Sequence, residues 1–251
     1  GKFNGQLASK SAVELGAIAI KAAVEKAKLS GNDIDQVLMG NVIQAGTGQN
    51  PARQASMAAG LGEQVPAITI NDVCASGMSS VNLAASLIRA GQANVIVAGG
   101  MESMSQAPYV LPKARNGYRF GNGTLLDAMQ SDALNDVYGG YPMGITAENI
   151  NDKYQITRRQ QDEFALLSHQ RAVKAQKAGY FDSEIVPVEV KQKRTTVTVK
   201  VDEAPRPDTS LVALAKLKPA FKTDGSVTAG NATGINDGGA ALVLASESAV
   251  N

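Results

Sequence analysis

Apolar positions first recur at helical spacing. Val13, Ala17, Ile20, Val24 and Ala27 share one face, and Ser11 with Glu14 three residues on forms a capping box ahead of them. Gly31 closes this helix. Residues 36–43 (Q-V-L-M-G-N-V-I) are too short and too continuously apolar for an amphipathic helix and predict a buried strand. Asn50-Pro51 opens a second helix with a cap followed by proline. Residues 67–71 (A-I-T-I-N) predict another strand, 78–90 a helix and 94–99 (N-V-I-V-A-G) a third strand. Apolar strands alternating with helices of this length predict an α/β fold, a parallel or mixed sheet with right-handed crossovers and helices on both faces.

The helix over 78–90 has no charged face before Arg89, since Val81, Leu83, Leu87 and Ile88 spread around its axis among alanines and serines. Such a helix is expected to be buried on most sides, between this sheet and a second layer, much of which lies outside the chain. The pattern then changes. Residues 101–225 hold 17 of the 24 Lys and Arg and 15 of the 23 Asp and Glu, so this half is expected to be an excursion over the surface of a core built from the flanks. Within it, Thr157 and Gln160 cap a strong helix with Phe164, Leu167, Arg171, Ala172 and Ala175 on its inner face and edge, and Gly179 stops it. Residues 185–190 and 195–201 alternate like paired strands about a K-Q-K-R turn. A glycine-rich approach from Thr228 leads into 240–245 (A-A-L-V-L-A), a returning core strand.

Composition removes several classes of function. Net charge is +1, which gives no electrostatic case for nucleic acid or acidic membranes, and no apolar run has the ~18 residues of a membrane span. One cysteine excludes an internal disulfide, and without a Cys/His cluster no ordinary zinc site is expected. The first residues lack the pattern of a signal peptide, which predicts a cytoplasmic, metal-free protein. Dinucleotide, P-loop and G-x-S-x-G motifs are absent. The single histidine, His169, is placed by its neighbours Gln170 and Arg171 on the charged, solvent side of its helix.

Cys74 lies where strand 67–71 turns into helix 78–90, in N-D-V-C-A-S-G. A helix N-terminus offers free N–H groups and a positive dipole end, which favour a thiolate by about 1–2 kcal/mol. Gly77 is expected to supply the bend. That alone does not complete a nucleophile, so a further acid/base group is expected elsewhere. A small buried core residue is the other reading of a lone cysteine, and position does not choose between them.

Four segments together resemble the thiolase family: N-D-V-C-A-S-G, V-A-G-G-M-E-S-M-S from Val97, M-G-I-T-A-E-N from Met143 and T-A-G-N-A-T-G-I-N-D-G-G-A from Thr228. The likeness covers essentially the whole chain and is greatest to the biosynthetic, acetyl-CoA C-acetyltransferase branch. It implies that two acetyl-CoA condense to acetoacetyl-CoA and CoA, or the reverse, through an acetyl thioester on Cys74, whose N–H contributes to an oxyanion hole. No bound cofactor is implied, since CoA and its thioesters are substrates. The resemblance also implies that the excursion is a CoA-binding loop domain. Arg206 would pack on the adenine, Leu134 and Met143 would touch the pantetheine, Ala229 and Gly230 would let that arm pass, and Thr233 would meet one of its amides. Residues 106–123, with Tyr109, Tyr118 and Phe120, match the region that joins dimers into a homotetramer.

There are departures. Pro142 stands where many biosynthetic members have histidine, and Ala75 replaces a glycine after the cysteine. The chain is expected to comprise a core half (1–100 and 226–251) without its first, central strand and an inserted loop domain (101–225). The second core half, with its N-E-A-F, G-H-P and C-x-G motifs, is absent, so the chain alone is expected to be inactive. A degradative 3-ketoacyl-CoA thiolase, a ketoacyl-synthase-like condensing enzyme and a non-catalytic CoA-binding fragment are the alternatives.

Overall fold

The computed structural model describes residues 1–192 and 194–250. In chain order the core elements are α1 (Ala12–Lys26), β1 (Gln36–Gly40), α2 (Pro51–Ala58), β2 (Ala67–Ile70), α3 (Ser76–Arg89) and β3 (Val95–Ser103). The excursion adds β4 (Tyr109–Val110), β5 (Leu126–Asp127), α4 (Met143–Tyr154), α5 (Arg158–Lys177), β6 (Val188–Gln192), β7 (Thr195–Val199) and α6 (Leu211–Ala215). β8 (Asp237–Ala245) returns to the core and α7 (Glu247–Val250) follows it.

Four strands form one sheet in the order β2-β1-β3-β8. β1 runs parallel to β2 and β3, and β8 is antiparallel to β3, with Val95 opposite Ala245 and Ser103 opposite Asp237. The central strands β1 and β3 are buried over residues 37–40 and 95–99, as their continuous apolar runs require, while the outer strands β2 and β8 are partly exposed. Val37, Met39, Val95 and Val97 point into a cluster with α1 and α2, while Leu38, Ile96 and Ala98 alternate to the other face and pack with Ala84 of α3. Truncating Leu38, which is fully buried, to alanine would cost about 2–5 kcal/mol.

The capping boxes of α1 and α5 form as the sequence predicts, with Ser11 and Glu14 and with Thr157 and Gln160 bonded reciprocally. β3 continues to Ser103, so Met101–Ser103 belong to the core strand and the excursion starts after them. β6 and β7 pair antiparallel; Lys193 of the expected K-Q-K-R turn, like Asn251, lies outside the described residues. The hairpin is held to the core by Val188, Val190 and Val199 packing on Leu7 and Leu15.

α3 buries Ser76, Ser80 and Ala84, and Met78 and Leu83 are exposed, as expected of a helix whose second covering layer lies outside the chain. One expectation about a helix face changes. On α5 the inner stripe is the neighbouring one: Asp162 is buried and Ala165, Leu166, His169 and Val173 are half-buried, whereas Phe164 and Leu167 face solvent. A polar residue at the most buried position conceals such a stripe from a hydrophobic count.

Candidate active site

The C-terminal ends of β1, β2 and β3 meet in register, with Gly40 opposite both Ile70 and Gly100. The first turn of α3 rests directly on this point. A Cβ at Gly40 would lie 2.7 Å from the Gly77 nitrogen and the Ser76 carbonyl carbon, so only glycine lets the helix start so close to the sheet. Residues 71–75 are compressed into the short path from β2 to that helix.

The bend falls at Val73, whose φ is +47°, a left-handed conformation costly for a β-branched residue. Gly77, expected to make this bend, is instead an ordinary member of the first turn of α3, with no positive φ. Local hydrogen bonds fix the turn. Ser76 Oγ accepts from the Asp72 N–H at 2.8 Å and donates to the Val73 carbonyl at 2.5 Å. Ser79 Oγ donates to the Asp72 carboxylate at 2.5 Å, and Asn71 Oδ1 accepts from the Val73 N–H at 3.0 Å.

Cys74 at the tip is exposed, which removes the buried-core reading. Its sulfur makes no hydrogen bond, and its N–H donates none among the described residues. Ala75, with φ −84° and ψ −5°, precedes α3 in a conformation open to any L-residue, so the alanine found there is unstrained. The Ala75 and Ser76 N–H groups are taken up by the Asp72 and Val73 carbonyls, so the exposed sulfur stands beside its own unbonded N–H at the start of α3, an arrangement suited to nucleophilic attack on a carbonyl.

The excursion brings the other candidates into one connected unit. Leu134 ends a short helical turn, and the next residue, Asn135, bridges to Pro142, the residue before α4. Met143, the first residue of α4, is 40 % exposed, and the Phe221 ring lies against Gly144 beside it. Glu148 on the same helix is buried and joins α4 to the approach to β8. Its carboxylate accepts from the N–H groups of Ser226 (2.8 Å) and Val227 (2.7 Å) and from Ser226 Oγ (2.9 Å). Desolvation acts to raise its pKa, but the Val227 N–H, the Ser226 hydroxyl and N–H and the Asn151 amide together hold it below the usual value of 4.5.

The segment 228–231 follows at once. Thr228 Oγ1 accepts from the Gly230 N–H, Asn231 Oδ1 accepts from the Thr228 N–H, and Asn231 Nδ2 donates to buried Asp162 at 3.0 Å. A Cβ at Gly230 would lie 2.5 Å from the side chains of Leu214 and Leu217. Ala229 and Thr233 are exposed. Arg206 is exposed and ion-paired with Asp208 at 3.6 Å, and it lines a cavity of about 510 Å³ with Lys174, Lys177 and Thr209. Its N–H donates to Nδ1 of His169 at 3.1 Å. His169 is therefore half-buried and holds the Arg206 segment, a correction to its expected place on the solvent side.

Residues 1–248 match the profile of the thiolase N-terminal domain. The chain belongs to the thiolase family. It is 55 % identical over 250 residues to an acetyl-CoA acetyltransferase of Escherichia coli (strain K12), covering 99 % of this chain and 64 % of that protein. It is 50 % identical over 248 residues to a probable acetyl-CoA acyltransferase of Staphylococcus epidermidis, covering 98 % of this chain and 63 % of that one. Among solved structures, the Bacillus anthracis acetyl-CoA acetyltransferase superposes with a TM-score of 0.95 at 44 % identity, over 99 % of this thiolase chain and 63 % of that one. The chain thus spans just under two thirds of the length of the curated relatives it matches.

The candidate residues that sequence reasoning missed in this thiolase are Glu102, Glu148 and Phe221. The first two lie inside the motifs M-E-S-M-S and M-G-I-T-A-E-N, and their place in those segments is the one signal that sequence offers for them. Among the described residues no group of His, Cys, Asp and Glu is placed to hold a metal, and no helix is long and apolar enough to cross a membrane.

Proposed function

We propose that this chain carries the nucleophile and the CoA-binding loop domain of an acetyl-CoA C-acetyltransferase. The observation that carries the reading is the exposed Cys74 at a strained strand-to-helix turn in a thiolase whose relatives are named for acetyl-CoA acetyl transfer. In the first half-reaction the Cys74 thiolate attacks the acetyl carbonyl of acetyl-CoA, the carbonyl–sulfur bond to CoA breaks, and CoA leaves as its thiolate. In the second, the α-carbon of another acetyl-CoA, having lost a proton to a base, attacks the Cys74 thioester. A carbon–carbon bond forms and the cysteine sulfur is released. A thiol suits this exchange because attacking and leaving groups are alike. The Cys74 N–H would stabilise the oxyanion in both steps.

Arg206, Leu134, Met143, Ala229, Gly230 and Thr233 are the proposed contacts to CoA. Their linkage through His169, the Asn135–Pro142 bridge, Glu148 and Thr228 supports one binding unit. Exposed Tyr109 and Phe120 support residues 106–123 as a contact between subunits of a homo-oligomer.

The test incubates the protein at its full genomic length, and separately the 251-residue chain, with acetyl-CoA and reads intact and peptide mass. The expected result is one acetyl group on Cys74 of the full-length protein and turnover of acetoacetyl-CoA with CoA by it alone. An unmodified Cys74, or a Cys74→Ser variant with undiminished turnover, would refute the reading.

A further inference from the structure

We infer that Glu102 is a positioning residue for Cys74, acting through Val42 and Asn71 on the strained Val73. The inference rests on the reading of Cys74 as nucleophile. Glu102 is near the end of β3, and its carboxylate accepts the Val42 N–H at 2.9 Å and the Asn41 Nδ2 at 2.9 Å. Asn41 is buried and gives its second amide hydrogen to the Met101 carbonyl, while its Oδ1 has no partner among the described residues. The amide is thus turned to favour the carboxylate at the expense of its own oxygen, which marks the carboxylate as what this cluster is built around.

From Val42 the chain of contacts runs to the turn. The Val42 carbonyl accepts Asn71 Nδ2 at a long 3.5 Å, and Asn71 Oδ1 accepts the Val73 N–H at 3.0 Å. The Asp72 and Ser76 bonds close within the turn itself, whereas the Asn71 amide ties it to the loop after β1. A left-handed valine persists only where its surroundings over-determine it, and this tie reaches it from the core strand β3, beyond α3 in sequence. Burial raises the Glu102 carboxyl above its ordinary value, opposed by the Val42 and Ile43 N–H groups and the Asn41 amide, so the carboxylate gathers the donors of the loop after β1.

The experiment measures the single-turnover rate of Cys74 acetylation by acetyl-CoA, alongside Tm, in the full-length protein. Variants are Glu102→Gln, Asn71→Ala, their double, and each in a Val73→Gly background. Glu102→Gln and Asn71→Ala are each expected to slow acetylation about tenfold, with the double no slower than either, because they break one chain. In the Val73→Gly background neither should slow it further, since glycine holds a positive φ without help. Additive losses, or an undiminished loss in the glycine background, would overturn the inference, as would a fall in Tm with an unchanged rate. If Glu102→Gln does not fold, Asn71→Ala, at an exposed position, carries the same test against Val73→Gly. A parent Cys74 that is never acetylated would overturn the acyl-transfer reading with it; a fast parent and equally fast variants overturn this inference alone.

Discussion

The Glu148 carboxylate accepts the Val227 N–H at 2.7 Å across 79 residues of sequence, pinning the helix that begins at Met143 to the strand approach that contains Ala229 and Gly230. Gly225 makes room for it, since a Cβ there would run into the same carboxylate. Two proposed sides of the CoA path are therefore fixed to each other by one ionised group.

Replacing Glu148 by glutamine puts an amide N–H₂ where N–H donors already converge. The expected loss at neutral pH is roughly 2–3 kcal/mol, the scale of hydrogen bonds to a charged group. The folded carboxyl titrates below 4.5, so its contribution is complete above the unfolded value and is lost as pH falls through the folded one. The Tm gap between parent and Glu148→Gln should be widest at neutral pH and shrink only as the pH falls below the ordinary carboxyl value of 4.5. A gap independent of pH would show that the variant acts by packing alone.

The sequence made the local devices legible and left the distant ones hidden. Ser11–Glu14, Asn50-Pro51 and Thr157–Gln160 act within one helical turn, and each predicted cap forms. Strand 36–43 stops at Gly40 because Asn41 and Val42 turn to bond Glu102. Glu102, Glu148 and His169 find partners 60, 78 and 37 residues away, and no spacing rule reaches that far. Cys74 is legible because strand, turn and helix are contiguous, yet sequence alone points to Gly77 for the bend. Composition favours glycine for a positive φ; the fold imposes it on Val73 instead.

His169 bears on the proposed adenine contact. Removing the ring in His169→Ala leaves the Arg206 N–H without its acceptor and loosens the segment that carries the guanidinium. One neutral hydrogen bond is worth about 1 kcal/mol, so the KM for CoA in thiolysis should rise roughly fivefold with kcat unchanged. A fall in kcat at constant KM would place His169 in the chemistry and contradict its role as a holder of Arg206.

Gly40 and Gly77 face each other under the cysteine turn, and their substitutions should part in sign. A methyl at Gly40 meets backbone of Ser76 and Gly77 at 2.7 Å, which neither strand nor helix can yield without lifting the start of α3. Gly40→Ala is expected to cost about 1–3 kcal/mol and to displace Cys74, slowing its acetylation. A methyl at Gly77 finds its nearest neighbours at 3.9 Å, on Gly99 and Gly100, and the residue is helical with negative φ. Gly77→Ala should therefore gain up to about 1 kcal/mol from helix propensity and a less flexible unfolded chain, with acetylation retained. Thermal unfolding and single-turnover acetylation of both variants decide the matter. If Gly77→Ala proves the damaging one, the bend before the helix depends on Gly77 after all, and the account of a strained Val73 held by its surroundings fails.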